Sequence, residues 1–194
     1  NPVPDPQIYL EQKGGFIRNY GVSIVIDSSL SCFNPTSAQH SYQTILILLS
    51  YLASINIPCI DVIIATKNSP IVLCSELSSL RVFNEKSPFW PSLFKCLNDN
   101  CAISCRLESA IHAACNLKRM RSFNVDSYMF VLSDGLYQYD QKELIKSNVL
   151  SCLQCNISIF GIGIGIYPIG INDLFPQVVF SSNPNNLIRA IASC

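Results

Sequence analysis

Charged residues are scarce in this chain of 194 residues. Asp, Glu, Lys and Arg make up 13% of it, and the 13 basic residues balance the 13 acidic ones, so the formal net charge is zero. A protein that binds nucleic acid or a membrane surface through its overall field needs an excess of one sign, so we expect neither partner. A surface with so few charges predicts a domain that packs against neighbouring domains.

The sequence also lacks a run long enough to span a membrane. Its longest apolar stretch, Ile45–Ile55, is followed by Asn56 and Pro58, whereas a spanning helix needs about twenty residues. No signal-peptide pattern is present. The chain opens on a proline-rich segment without Met, and residues near its end still repeat at helical spacing. We therefore expect a piece of a longer protein, with a linker over 1–19 and one domain over 20–194.

Histidine is rare, with two residues, whereas cysteine is abundant, with ten. Cys59, Cys74, Cys115 and Cys152 lie in apolar runs, where a free thiol behaves as a small hydrophobe. A chain of this size has no need of disulfide staples. The C-x-x-C motif at 152–155 has no second pair and no histidines beside it, so no zinc site is predicted there. Reduced thiols and an intracellular, cytoplasmic location are therefore the expectation.

Signatures of catalysis are missing as well. The glycines of Gly161–Gly165 do not form G-x-G-x-x-G, because position 166 is Ile166 and no helix follows directly. His112 precedes Cys115 by three residues, but a catalytic pair in a helix interior would lack access, so we predict a packed histidine. No nucleophile–base pair is evident. We predict that the domain is not an enzyme, and we keep a nucleotide-binding or hydrolytic α/β enzyme as a remaining alternative.

What is present is an alternation of strand-like and helix-like segments. The predicted strands cover about 22–27, 59–65, 71–74, 127–132, 157–161 and 178–180, and the predicted helices about 38–55, 89–97, 106–119, 139–151 and from 184 onward. Strands that alternate with helices predict a doubly wound α/β fold, in which a mainly parallel sheet lies between two layers of helices.

The first predicted strand leads into a cluster of oxygen-bearing side chains. It ends at Asp27, and Ser29 and Ser31 follow at intervals of two, so on an irregular turn all three side chains can point to one side. Asp134 follows the fourth strand, and it would rise at the same rim if the two strands are neighbours. Carboxylates and hydroxyls suit Mg²⁺ or Mn²⁺ rather than zinc. Asp and Ser also cap turns routinely, which is the plain alternative.

The pattern Asp27-x-Ser29-x-Ser31 resembles the metal-ion-dependent adhesion site (MIDAS) of von Willebrand factor A (vWA) domains. The run V-L-S-D-G-L-Y around Asp134 is similar to that family's third motif, and G-I-G-I-G is similar to its fifth strand. The resemblance covers about residues 20–194. It implies that the two serines bind Mg²⁺ or Mn²⁺ directly, that the aspartates do so largely through water, and that a threonine from another loop completes the protein's share.

The threonine position is where this sequence departs from the family. Matching Leu107, Ala110 and Ile111 to the family's pattern T-x-[apolar]-x-x-A-[apolar] places Cys105 at that position. A thiol is a poor ligand for Mg²⁺. Ser104, one residue earlier, is the candidate to replace it if the loop shifts.

The resemblance implies a non-catalytic protein–protein interaction module. In the family, one coordination position of the metal stays open and is taken by a carboxylate of the binding partner. We therefore expect a protein ligand that offers Asp or Glu, together with contacts to other domains of the same parent chain. The alternative is a metal-free structural vWA module that acts as a scaffold within a large multidomain protein.

Overall fold

The computed structural model describes residues 20–55, 57, 59–77, 87–120, 126–165, 168–180, 187 and 189. The expected linker over 1–19 lies outside these residues. The strands are β1 (Tyr20–Asp27), β2 (Cys59–Ala65), β3 (Ile71–Leu77), β4 (Asp126–Ser133), β5 (Ile157–Gly163) and β6 (Val178–Phe180). The helices are α1 (Leu30–Phe33), α2 (Ala38–Ser54), α3 (Phe89–Asp99), α4 (Leu107–Met120) and α5 (Tyr139–Gln154), with a 3₁₀ helix at Pro168–Asp173.

The six strands form one sheet in the order β3-β2-β1-β4-β5-β6. The pairs β1–β2, β1–β4, β4–β5 and β5–β6 are parallel. Only β3 runs antiparallel to its neighbour β2, because the short connection between Ala65 and Ile71 cannot hold a crossover. The predicted fold, a doubly wound and mainly parallel sheet flanked by helices, is confirmed.

Helices cover both faces of the sheet. Alternate side chains of β1 point to opposite faces, so Ile24 and Ile26 belong to one buried cluster and Val25 to the other. The first cluster includes side chains of α2 and α3, and the second includes α4, α5 and the 3₁₀ helix. Leu49 of α2 is fully buried in the first cluster, so its replacement by Ala would cost about 2–5 kcal/mol.

The apolar helix α2 is a helix of the core, as its length predicted. None of the helices among the described residues is long and apolar enough to cross a membrane. The predicted terminal helix is described only at Leu187 and Arg189, which are both helical, and its remainder lies outside the described residues.

The histidine prediction was wrong. His112 is exposed, because it lies beside the buried stripe of α4 that Ile111, Ala114 and Cys115 form. Among the described residues, seven cysteines are free thiols, namely Cys32, Cys96, Cys101, Cys105, Cys115, Cys152 and Cys155.

Candidate metal-binding site

Two buried carboxylates meet where β1 and β4 end. In a sheet of this strand order the chain winds outward in opposite directions from β1 and β4, which leaves a crevice beyond their carboxyl ends. Asp27 ends β1 and Asp134 directly follows β4, and their exposed fractions are 0% and 2%. An oxygen of each carboxylate and the Sγ atom of Cys32 all lie within 4.8 Å of one another.

The two serines of the motif lie beside this pair of carboxylates. Ser29 Oγ is 3.1 Å from Ser31 Oγ, and the Ser29 N–H donates a 2.9 Å hydrogen bond to Asp27 Oδ1. Ser29 is buried, whereas Ser31 is partly exposed. The structure thus brings Asp27 and Ser29 into direct contact and places the hydroxyl of Ser31 next to that of Ser29.

The carboxylate of Asp27 accepts several further hydrogen bonds. The hydroxyl of Ser133 donates to Asp27 Oδ2 at 2.8 Å, the phenol of Tyr137 donates to the same oxygen, and the thiol of Cys32 lies 3.8 Å from it. These groups surround Asp27 with donors, so its charge is partly compensated by the protein itself.

Burial and charge shift the acid–base behaviour of this cluster. Burial raises the pKa of Asp27 above its ordinary value of 3.8, and the charge of Asp134 adds to the rise, while hydrogen bonds from Tyr137, the Ser29 amide and Ser133 oppose it. Burial and the two carboxylates raise the pKa of the Cys32 thiol well above its usual value. The pKa values of Asp27 and Cys32 are therefore both raised, mainly because burial disfavours their charged forms.

Asp134 is less well satisfied than Asp27. Its Oδ1 atom accepts a 2.9 Å hydrogen bond from the Leu136 N–H, but its Oδ2 atom is buried and has no hydrogen-bond partner. The backbone around it is tightly held, because Gly135 adopts φ +75° and has the backbone of Gly170 and Ile171 where a Cβ atom would lie. A buried carboxylate oxygen without a donor costs free energy unless a cation approaches it.

The short helix α1, which carries Ser31 and Cys32, is held in place by hydroxyl groups at the start of α2. Ser41 Oγ donates to the Cys32 carbonyl at 2.6 Å, and Ser37 Oγ lies 3.0 Å from the same oxygen. Both hydroxyls are buried. The positions of the Ser31 and Cys32 side chains therefore depend on the packing of α2 rather than on a mobile surface turn.

The third loop offers less than the resemblance implies. Cys105, at the threonine position, is buried, and its Sγ atom contacts Ser28 Oγ at 3.3 Å. Burial raises the pKa of Cys105 to about 11, and a thiol is in any case a poor ligand for a hard cation such as Mg²⁺ or Mn²⁺. Ser104 is exposed on the loop before α4.

Three polar groups of this site were missed at the level of sequence. Ser133, Tyr137 and Cys32 all contact Asp27, and Tyr137 does so across 110 residues. Only Ser133 and Tyr137 carried a signal, because both belong to the run V-L-S-D-G-L-Y. Cys32 lies in the turn after Ser31, where a cysteine in an apolar setting is usually a packing residue.

Exposed apolar side chains lie next to the polar cluster. Leu30 is 47% exposed and follows Ser29, and Leu136 is 62% exposed and lies two residues beyond Asp134. Ile103 is 90% exposed; it follows Ala102, which pairs with Ser29 and accepts the N–H of Leu30 at 2.7 Å. We call Leu30, Ile103 and Leu136 the apolar rim.

Comparison with known proteins identifies the fold. No protein-family model matches the sequence, and no curated protein matches it. Solved structures do match. The SpRpn10 VWA domain is similar with a TM-score of 0.62 and 14% sequence identity, over 90% of this chain and 95% of that one. The N-terminal domain of TFIIH p34 has a TM-score of 0.65 and 14% identity, over 89% and 95% of the two chains.

A third similar structure contains a metal. The manganese-loaded TRAP protein of Plasmodium vivax has a TM-score of 0.60 and 13% identity, over 90% of this chain and 72% of that one. The six-stranded, mainly parallel sheet between two helical layers is therefore the fold of vWA domains. At these identities the likeness concerns the fold alone.

Proposed function

We propose that this domain is a non-catalytic interaction module that binds a carboxylate of a protein partner through a divalent cation, Mg²⁺ or Mn²⁺, at the rim formed by β1 and β4. The observation that carries this proposal is the buried Oδ2 atom of Asp134, which has no hydrogen-bond partner and belongs to a carboxylate that faces Asp27. Two buried carboxylates this close repel each other, and a divalent cation is the simplest group that relieves the repulsion.

The residues present fit such an ion. The oxygen atoms of Asp27, Ser29, Ser31 and Asp134 are the hard donors that Mg²⁺ and Mn²⁺ prefer. Neighbouring oxygens around an octahedral Mg²⁺ lie about 3.0 Å apart, given metal–oxygen distances of about 2.1 Å. The 3.1 Å between Ser29 Oγ and Ser31 Oγ is close to that separation. With Cys105 held against Ser28, this ligand set relies on two loops.

The cation would supply a Lewis-acidic position for a partner's Asp or Glu. The chain's own residues would orient it: Ser133 and the Ser29 amide hold the carboxylate of Asp27, and the Leu136 amide holds that of Asp134. The apolar rim would exclude water from the contact, which strengthens the attraction between ion and carboxylate. We therefore expect the partner's acidic residue to be flanked by apolar side chains.

One observation favours a second candidate, a metal-free structural module. Asp27 already accepts hydrogen bonds from the Ser29 amide, Ser133 and Tyr137, so it has little need of a metal. In that case the apolar rim alone would form the contact, for example with another domain of the parent chain. The expected single domain over 20–194 and its intracellular location stay predictions under both candidates.

The two candidates differ in a metal titration. Isothermal calorimetry with Mg²⁺ and Mn²⁺ should give saturable binding at one site in the unmodified protein. Asp134→Asn should abolish it. The matched control is Asp126→Asn, because Asp126 is an exposed carboxylate at the other end of β4, the strand that Asp134 follows. This variant should leave metal binding unchanged. A flat trace for the unmodified protein would leave only the structural module.

The carboxylate preference needs a second probe. With Mn²⁺ bound, acetate should displace metal-bound water and lower the proton relaxation of the solvent. Acetamide, which has the same shape and no charge, should have little effect at equal concentration. Equal effects of the two would contradict a carboxylate partner while leaving the metal site intact.

A further inference from the structure

A cysteine thiol lies inside the cluster of carboxylates. Cys32 is fully buried, and its Sγ atom is 3.8 Å from Asp27 Oδ2 and 3.3 Å from Ser29 Oγ. The thiol, one oxygen of Asp27 and one of Asp134 are mutually within 4.8 Å. Cys32 also belongs to the first hydrophobic cluster, but its Sγ atom contacts Asp27 and Ser29, which both carry potential metal ligands.

We propose that Cys32, Asp27 and Asp134 form a three-ligand set for a thiophilic divalent cation of the Zn²⁺ class at this rim. The inference rests on the proposed function in placing a cation at the site, and goes beyond it in naming a sulfur ligand. The Oδ2 atom of Asp134, buried without a donor, is an independent sign that the cluster has a place for a cation.

The distances suit tetrahedral coordination. With zinc–sulfur bonds of about 2.3 Å and zinc–oxygen bonds of about 2.1 Å, a tetrahedral ion separates its sulfur and oxygen ligands by about 3.6 Å. The separation of Cys32 Sγ from Asp27 Oδ2, 3.8 Å, is close to that value. An oxygen of Asp134 lies within 4.8 Å of both the thiol and an oxygen of Asp27, so modest movements of side chains would bring all three ligands to one zinc ion.

The thiol is also well positioned in advance. The carbonyl of Cys32 accepts hydrogen bonds from the buried hydroxyls of Ser37 and Ser41, which fix the backbone of the short helix α1 against α2. Pre-positioned ligands bind a metal more tightly, because less conformational freedom is lost on binding.

Binding by sulfur changes the charge of the site. The thiol loses its proton to solvent as the sulfur–zinc bond forms, so the protein's ligands then carry one thiolate and two carboxylates. Their combined charge exceeds that of the ion, so the fourth position favours water or a neutral donor. The zinc form and the Mg²⁺ form of the site would therefore select different partner groups.

The test uses Co²⁺ as a spectroscopic substitute for Zn²⁺, together with calorimetry of Zn²⁺ and Mg²⁺. The unmodified protein should show a sulfur-to-cobalt charge-transfer band and should bind Zn²⁺ more tightly than Mg²⁺. Cys32→Ser should remove the band and weaken Zn²⁺ binding at least about tenfold, as expected for loss of a ligand. Mg²⁺ binding should change little.

The control is Cys155→Ser, because Cys155 is a partly exposed thiol of the C-x-x-C motif after α5. This variant should keep the cobalt band. The inference is overturned if the unmodified protein shows no cobalt band, a result that does not depend on any variant folding. It is also overturned if the band disappears in Cys155→Ser and persists in Cys32→Ser. If Mg²⁺ still binds and Asp134→Asn abolishes it, only the sulfur ligand is refuted; if no cation binds, the proposed function fails too.

Discussion

Replacement of Asp134 by Asn should have opposite effects on stability with and without metal. Without metal, the Oδ2 atom of Asp134 is a buried acceptor with no donor, close to a second carboxylate. In Asp134→Asn the Oδ1 atom can still accept the Leu136 N–H, and the NH₂ group that replaces the unsatisfied oxygen can donate to the neighbouring carboxylate of Asp27, which lies within 4.8 Å. The variant should therefore be more stable than the unmodified protein in the presence of a chelator.

The size of the effect follows from the burial. A buried polar atom left without a partner costs about 1–3 kcal/mol, and more if it is charged. For a chain of this length each kcal/mol shifts the midpoint of thermal unfolding by about 2–4 °C. At a metal concentration 100 times the dissociation constant, binding adds about 2.7 kcal/mol to the unmodified protein. The variant, which should not bind metal, gains nothing, so the difference shrinks to zero or reverses.

Thermal unfolding followed by circular dichroism measures both conditions on the same samples. The exposed Asp126 at the other end of β4 provides the control, because Asp126→Asn should gain as much from metal as the unmodified protein does. If Asp134→Asn is less stable than the unmodified protein in chelator, the argument from an unsatisfied carboxylate is refuted. If metal fails to stabilise the unmodified protein, the proposed site is refuted.

Three further predictions concern the same rim. Tyr137→Phe removes a hydrogen bond to Asp27 Oδ2, so urea unfolding in chelator should show that the free energy of unfolding falls by about 1.5–3 kcal/mol. Calorimetry should show tighter Mn²⁺ binding, because Asp27 Oδ2 no longer accepts a hydrogen bond from the phenol. The folded protein raises the pKa of Asp27 above 3.8, so this carboxyl group stabilises the fold fully below pH 3.8, and that stabilisation is lost as the pH rises through the folded pKa. In chelator, the unfolding free energy of the unmodified protein minus that of Asp27→Asn should therefore decrease as the pH rises. A difference that does not change with pH would contradict this. Gly135→Ala places a Cβ against the backbone of Ile171 at φ +75°, so it should cost at least about 1–3 kcal/mol and weaken metal binding by displacing Asp134; an unchanged thermal midpoint would show that the loop is not constrained.

Much of the fold could be predicted because its signals are local. The β-branched run that ends at Asp27 and the alternation of strands with helices follow from apolar periodicity within short windows, and β2 and β6 have the predicted bounds. The antiparallel direction of β3 was not predicted, since it depends on how few residues separate Ala65 from Ile71. For α4, the sequence predicted a packed His112, but the side chain is exposed. A shift of one residue around the helix decides whether a side chain faces the core or the solvent, and the buried stripe includes the adjacent Ile111.

The residues of the candidate site could be singled out from the sequence only where oxygen-bearing side chains recur at a short spacing. Asp27, Ser29 and Ser31 form such a pattern, and Asp134 joined them through the fold. The contact of Tyr137 with Asp27 joins residues 110 positions apart, and no local pattern encodes it. Cys32 was missed for a chemical reason. A buried cysteine usually acts as a small apolar packing residue, and only the structure shows that carboxylates lie next to this one.

The most direct test of the central claim is an anomalous difference map from crystals of this domain grown with Mn²⁺. The account predicts one strong peak at the ends of β1 and β4, about 2.1 Å from the hydroxyl oxygens of Ser29 and Ser31 and beside the carboxylates of Asp27 and Asp134. A map with no peak at this rim, with Mn²⁺ present at a saturating concentration, would contradict it.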